Sequence, residues 1–383
     1  MYNAMNHLLK LAVAFLLLFV SNAFAVPRLI PDAPAIDARG YILLDFHSGH
    51  VMAERNADER MEPASLTKLM TAYAVFYELR AGHIHLEDKV RISKKAWRMP
   101  GSRMFVEVGS EVPVEQLLQG LIIQSGNDAS VALAEYAAGA EDTFVTLMNE
   151  HARNLGMKNT HFANATGLPH PDHYSTPHDM AILAAALIHE FPEYYHWYST
   201  KEFSYGGITQ HNRNLLLWRD NSVDGMKTGH TESAGFCLVA SAKRNDMRLI
   251  SVVMGTKSEN ARAYESQKLL NYGFRFYETH KLYDAQQPLK AMRIWKGDSD
   301  TIALGLTKPL YITVPRGQYD KLNASLTVDS SIVAPAEKGQ RLGTVNIKLG
   351  DEVLVERPLV ALESVGEGGL WHRLVDNVRL MFQ

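Results

Sequence analysis

One helix governs what this chain can build. After Pro63 the sequence reads Ala64-Ser65-Leu66-Thr67-Lys68, and the run Leu69-Met70-Thr71-Ala72-Tyr73-Ala74-Val75-Phe76 follows at once. A helix that is apolar on nearly every side has to sit inside a core. Pro63 suits a first helical turn, where its missing N–H costs nothing, and Gly82 suits the close of the helix. Residues three apart share a face, so Ser65 and Lys68 can touch. A serine hydroxyl becomes a nucleophile when a neighbouring base takes its proton. An amine can be that base if burial or a second cation lowers its pKa. Alone, Ser-x-x-Lys also describes any surface lysine near a helix start.

The remaining composition narrows the choices. A chain of 383 residues, 46% hydrophobic and 21% charged, suits two or three ordinary globular domains. A net charge of −3 is too mild to imply a nucleic-acid partner. There is no zinc-type Cys/His spacing, Walker loop or Gly-x-Gly-x-x-Gly, so neither a metal nor an organic cofactor is expected. Cys237 is the only cysteine, which rules out an intramolecular disulfide, and Phe236-Cys237-Leu238-Val239 reads as a core strand.

The N-terminus has the pattern of an export signal: Lys10, an apolar core over residues 11–20, and Ala23-Phe24-Ala25 as the cleavage site. Cleavage would leave Val26 first and place the protein outside the cytoplasm; an uncleaved anchor is the alternative. Residues 41–46 and 51–54 form an expected hairpin around a turn at 47–50. A helical stripe runs from Val114 to Gln124, and another helix starts near Asp128. Ser125-Gly126-Asn127-Asp128, between them, is by itself an ordinary turn. Residues 142–157 and 179–188 are helical, and the polar loop 159–177 separates them. Long ordered loops often border active sites. His161, His170, His173 and His178 are expected to be solvated there, since their spacing makes no recognisable ligand set. Asp224-Gly225-Met226-Lys227-Thr228-Gly229-His230-Thr231 precedes a hairpin of residues 235–242 and 247–255, and a helix carrying Arg262 follows.

Beyond Thr279, short β-rich runs alternate with turns, as in a β-sandwich of about 85 residues without a catalytic cluster. Residues 370–383 gather apolar side chains on one helical face, which suits a helix lying in a membrane interface. Gly368-Gly369 is expected to decouple it from the sandwich. The resulting division is a signal peptide (1–25), a catalytic domain (26–280), a β-rich domain (281–366) and an amphipathic anchor (367–383), in the α+β class.

Ser65-Leu66-Thr67-Lys68, Ser125-Gly126-Asn127 and Lys227-Thr228-Gly229 are individually weak. In this order, opening a buried helix, capping an inter-helix turn and preceding a strand hairpin, they form one set. The chain resembles, end to end, the low-molecular-mass penicillin-binding proteins, the exported D-alanyl-D-alanine carboxypeptidases. That resemblance implies a five-stranded antiparallel sheet with helices on both sides. It implies Ser65 as nucleophile, Lys68 as its base and Ser125 as proton relay. Asn127, Lys227, Thr228, Gly229, His230 and Arg262 would bind substrate, with the Ser65 and His230 N–H groups as oxyanion hole. Arg213 is a weaker candidate for the substrate carboxylate. Lys227 is expected to supply the like charge that depresses the Lys68 pKa. The implied partners are the peptidoglycan stem peptide, β-lactams as covalent inhibitors and a membrane surface, at the periplasmic face of the inner membrane. Homodimerisation is left open.

Three rivals share parts of this pattern. A β-lactamase needs a deacylating carboxylate in a Glu-x-x-Leu-Asn element between the second and third motifs, and none stands there. An endopeptidase of the same class generally lacks the C-terminal domain. A scaffold without turnover would not need the full polar set.

Overall fold

The computed structural model describes residues 30–329 and 331–380. The export signal expected over residues 1–25 lies outside the described residues. Five antiparallel strands form the central sheet: β1 (Gly40–Asp45), β2 (Val51–Arg55), β3 (Val223–Thr231), β4 (Gly235–Arg244) and β5 (Met247–Thr256). Their order is β2-β1-β5-β4-β3, so β3 is an edge. Its register sets Lys227 opposite Val239, Thr228 opposite Leu238 and Gly229 opposite Cys237. The interior strands β4 and β5 are apolar on both faces because both faces are covered. Helices α5 (Pro177–Glu190) and α6 (Glu259–Phe276) both pack on β5.

The other helices longer than one turn among the described residues of this region are α1 (Lys68–Arg80), α2 (Val114–Gln119), α3 (Asn127–Ala138) and α4 (Glu141–Leu155). In α1 every residue from Lys68 to Phe76 is buried, as the apolar run requires. Two local details differ from the sequence reading. Ala64–Thr67 is a 3-10 turn, and the α-helix begins only at Lys68. Likewise α2 stops at Gln119, and Gly120–Gln124 widens into a π-helical turn that ends at Ser125 in the left-handed region, φ 66°. The wide turn closes with the Gly126 N–H donating to the Gly120 carbonyl at 3.1 Å. Both irregularities fall on motif residues, where backbone departures of this kind concentrate.

The C-terminal region is β-rich. Leu322–Val328, Arg341–Leu349, Glu352–Ala361, Thr301–Gly305, Lys290–Trp295 and Ile332–Val333 line up in that order as one six-stranded sheet. Tyr277–Tyr283 pairs separately with Leu310–Pro315. A second apolar core, including Ile294, Ile302, Val345 and Leu359, lies within it. Buried Asp45 at the end of β1 ties the two regions: its Oδ2 accepts from the Thr279 hydroxyl at 2.8 Å, and the Ser48 and Thr313 hydroxyls meet at 2.6 Å.

The final helix, α7 (Leu370–Leu380), is not decoupled by Gly368-Gly369. Asp376 on its inner face is 1% exposed and accepts from the Lys296 N–H at 2.7 Å and the Arg293 guanidinium at 3.1 Å. A carboxylate loses hydration on burial and needs donors in exchange; the β-rich region supplies them, and the helix is docked by its polar side. Its apolar side faces outward, with Leu370 85% and Trp371 78% exposed.

Candidate active site

The three motifs meet at one cleft. It encloses about 400 Å³, and its walls include Ser65, Ser125, Asn127, Thr228, Gly229, His230, Arg213 and Arg262. Lys68 and Lys227 are buried beside these residues. In a 3-10 turn, side chains three apart eclipse one another. The Lys68 Nζ accordingly lies 3.1 Å from the Ser65 Oγ. Ala64, immediately before the serine, takes φ 48°, which turns the chain sharply into the helix.

The Lys68 amine is wholly buried, and three oxygens surround it. Besides Ser65 it donates to Asn127 Oδ1 at 2.7 Å and to the Thr166 carbonyl at 2.6 Å. Burial lowers its pKa from 10.5 to about 7, with the Arg213 charge as the next cause and Asp128 acting in the opposite direction. The Lys68 and Lys227 amines repel each other, as the sequence reading expects, and Arg213 is a further cation acting on both that the sequence reading did not name. Lys227 is itself held well below the ordinary lysine range by burial first, then by Lys68, Arg213 and Arg262. Its Nζ has a carbonyl contact at 3.3 Å to Thr228.

Ser125 also lines the cleft. Its buried hydroxyl has no hydrogen-bond partner among the described residues, an unusual state for a buried polar atom. Asn127, the first residue of α3, spans two parts of the site. Its Oδ1 receives Lys68, and its Nδ2 donates to the Pro100 carbonyl at 2.6 Å. One lone pair of Oδ1 remains for a substrate N–H. Arg262, on the first turn of α6, is 2% exposed; it donates to the carbonyls of Gly229 at 3.2 Å and Arg213 at 3.4 Å. The His230 ring stacks on Phe236 with centroids 3.9 Å apart.

Several contributors were assigned no role from the sequence. Thr166 offers its carbonyl because Asn164 Oδ1 caps the loop, accepting from the N–H groups of Thr166 and Gly167 at 3.1 and 2.7 Å. An Asn three residues before a Gly is a turn signal that could have drawn attention to it. Asp128 is buried, and its carboxylate collects the N–H groups of Met104, Phe105 and Val106 at 2.9–3.3 Å. It thereby fixes the segment whose Gly101 and Ser102 wall the cleft. His173 is not a solvated loop histidine: it is 3% exposed and bonded to Thr67. Among the described residues no cluster of His, Cys, Asp or Glu could hold a metal ion.

Sheet order, flanking helices and the meeting of the three motifs at an edge strand define a protein of the serine DD-peptidase class. Residues 28–258 match the family described as D-alanyl-D-alanine carboxypeptidase. Residues 277–367 match the C-terminal domain of penicillin-binding protein 5. The chain is 46% identical to D-alanyl-D-alanine carboxypeptidase DacA of Escherichia coli K12, over 98% of this chain and 96% of that one. It is also 46% identical to DacC of the same organism, over 100% and 97%. Penicillin-binding protein 5 from Haemophilus influenzae superposes with a TM-score of 0.85 at 42% identity, covering 88% of this chain and all of that one. The chain belongs to the D-alanyl-D-alanine carboxypeptidase family of serine peptidases.

Proposed function

We propose that Ser65 attacks the carbonyl between the two terminal D-alanines of a peptidoglycan stem peptide, forms an acyl-enzyme and releases D-alanine, and that water then frees the shortened peptide. Lys68 takes the Ser65 proton. The observation that carries this reading is the 3.1 Å Lys68–Ser65 contact inside a site that lowers the amine's pKa to about 7. A base is most effective with its pKa near the working pH. Ser125, buried with a free hydroxyl, passes the proton on to the departing amine of D-alanine.

Substrate lies along the edge strand β3, gaining main-chain hydrogen bonds. The Ser65 and His230 N–H groups receive the developing oxyanion, each such donor being worth about 10²–10³ in rate. Thr228 and Arg262, with Lys227 near, take the terminal carboxylate. Arg213, an exposed cation on the same wall, assists. Penicillin acylates the same serine; a structural relative, penicillin-binding protein D2 from Listeria monocytogenes, was solved in an ampicillin-bound form.

The protein works at the periplasmic face of the inner membrane after export. Among the described residues no helix is long and apolar enough to cross a membrane. The outward apolar side of α7 suits shallow, reversible insertion among lipid headgroups. The direct test uses Ser65→Ala and a diacetylated Lys-D-Ala-D-Ala peptide. Loss of both D-alanine release and covalent labelling by a fluorescent penicillin is expected. Labelling that persists moves the nucleophile elsewhere.

A further inference from the structure

We propose that His173 is a positioning residue for the Ser65–Lys68 pair: it clamps the turn carrying the pair to the loop whose Thr166 carbonyl receives the Lys68 amine. The inference rests on the reading of Lys68 as the base.

Both ring nitrogens of His173 are engaged. The Ala163 N–H donates to Nδ1 at 3.1 Å. Nδ1 is therefore the unprotonated nitrogen, and Nε2 carries the hydrogen and donates to the Thr67 Oγ1 at 2.8 Å. Thr67 is the residue directly before Lys68, and Ala163 stands three residues before Thr166. One imidazole thus joins the two backbones that hold the base. The ring is 3% exposed and meets Phe162 edge-on, with centroids 5.7 Å apart. Burial, together with His161, His170 and Lys68, holds its pKa down at about 4, so the accepting Nδ1 stays free of a proton at neutral pH.

The two segments also press together elsewhere. Gly167 has φ +83°, and a Cβ there would fall 1.8 Å from the Ala64 carbonyl oxygen and 2.9 Å from the Thr67 hydroxyl. Thr71 adds a bond to the Ala165 carbonyl at 2.7 Å. Contact this close leaves the distance between Thr166 and Lys68 dependent on what holds the loop down. A shift of about 1 Å in a reacting pair can cost about a hundredfold in rate.

The test measures acylation by a fluorescent penicillin in the full-length chain, separating the limiting acylation rate from the preceding affinity. His173→Phe keeps a buried ring and loses both hydrogen bonds. His173→Gln can restore both, since its amide oxygen accepts from Ala163 and its nitrogen donates to Thr67. We expect His173→Phe to lower the limiting rate about tenfold, the worth of two such bonds, with affinity unchanged. His173→Gln should recover the rate to within about threefold. Thr67→Val, which removes only the acceptor, carries the test if the Phe variant does not fold. A limiting rate within about twofold of wild type in the Phe or Val variant overturns the proposal, as does a Gln variant no better than Phe. Lys68→Ala, run in parallel, separates the two ideas. If it acylates normally the base assignment fails; if it is dead while His173→Phe is normal, only the clamp fails.

Discussion

Acylation of Ser65 should follow the uncharged fraction of Lys68. With a pKa of about 7, about half the amine is free at pH 7, about a tenth at pH 6 and about nine-tenths at pH 8. At the ordinary value of 10.5 only about one molecule in three thousand would carry a free amine at pH 7. The site therefore raises the supply of base by about a thousandfold. Stopped-flow acylation by a penicillin should show the rate rising with unit slope below about pH 6.5 and levelling above about pH 8. Arg213→Gln removes the second cause of the depression and should move the midpoint to higher pH; the first unit of movement costs about fivefold at pH 7. The same shift has a stability consequence. Between about 7 and 10.5 the unfolded chain holds a proton on this lysine that the folded chain lacks, so the contribution of Lys68 to stability improves as pH rises through that window. Relative to Lys68→Met, the wild type should gain up to about 1.4 kcal/mol per pH unit there in denaturant melts. An acylation rate flat from about pH 5 to 8, or one still climbing at pH 10, would refute the assignment of Lys68 as base.

The other expectations concern single contacts. Ser125→Ala removes a hydroxyl that has no partner among the described residues, so thermal stability should hold while D-alanine release falls by about 10²–10⁴; a matching loss of stability would mean the hydroxyl is structural. Asp128→Ala strips three backbone N–H groups of their acceptor and should destabilise the fold by about 2–4 kcal/mol in urea titrations, with weaker substrate binding because the Gly101-Ser102 wall is released. On the tail, Trp371→Glu should reduce co-sedimentation with anionic lipid vesicles and leave turnover of a soluble peptide unchanged, since Trp371 is 78% exposed. Unchanged sedimentation would assign membrane contact to another surface.

Features with a local period could be read directly from the chain. The apolar run after Ser65 could only be a buried helix, and α1 is buried from Lys68 to Phe76. The hairpin read over residues 235–242 and 247–255 emerges as β4 and β5. The meeting of the motifs was legible only through family resemblance, because no period links residue 65 to residue 227. Four contributors were given no role or were misplaced: the Asp128 carboxylate, the Thr166 carbonyl, the His173 ring and the Asp376 carboxylate. Each acts through a partner far along the chain or through backbone, 98 residues away for Lys68 with Thr166 and 106 for Thr67 with His173.

The same four cases share a physical logic. A base that works near pH 7 must be kept dry, and a dry amine needs acceptors that cannot come from water. Those acceptors have to be neutral oxygens, here Ser65 Oγ, Asn127 Oδ1 and the Thr166 carbonyl, since a carboxylate beside Lys68 would pull its pKa back up, as Asp128 already does in part. Neutral carbonyls are available anywhere in a sequence, so nothing in the residue types marks which one is used. Only the residues that hold the carbonyl in place are of recognisable types: Asn164 capping its turn, Gly167 allowing the approach, and His173 bridging to Thr67. A histidine or aspartate in a loop with no metal set and no charged neighbour is therefore better treated as a candidate backbone anchor than as a solvated side chain. Asp376 anchors backbone too, although it sits in a helix and has Arg293 as a charged partner: its carboxylate meets the Lys296 N–H and docks α7 with its apolar side outward.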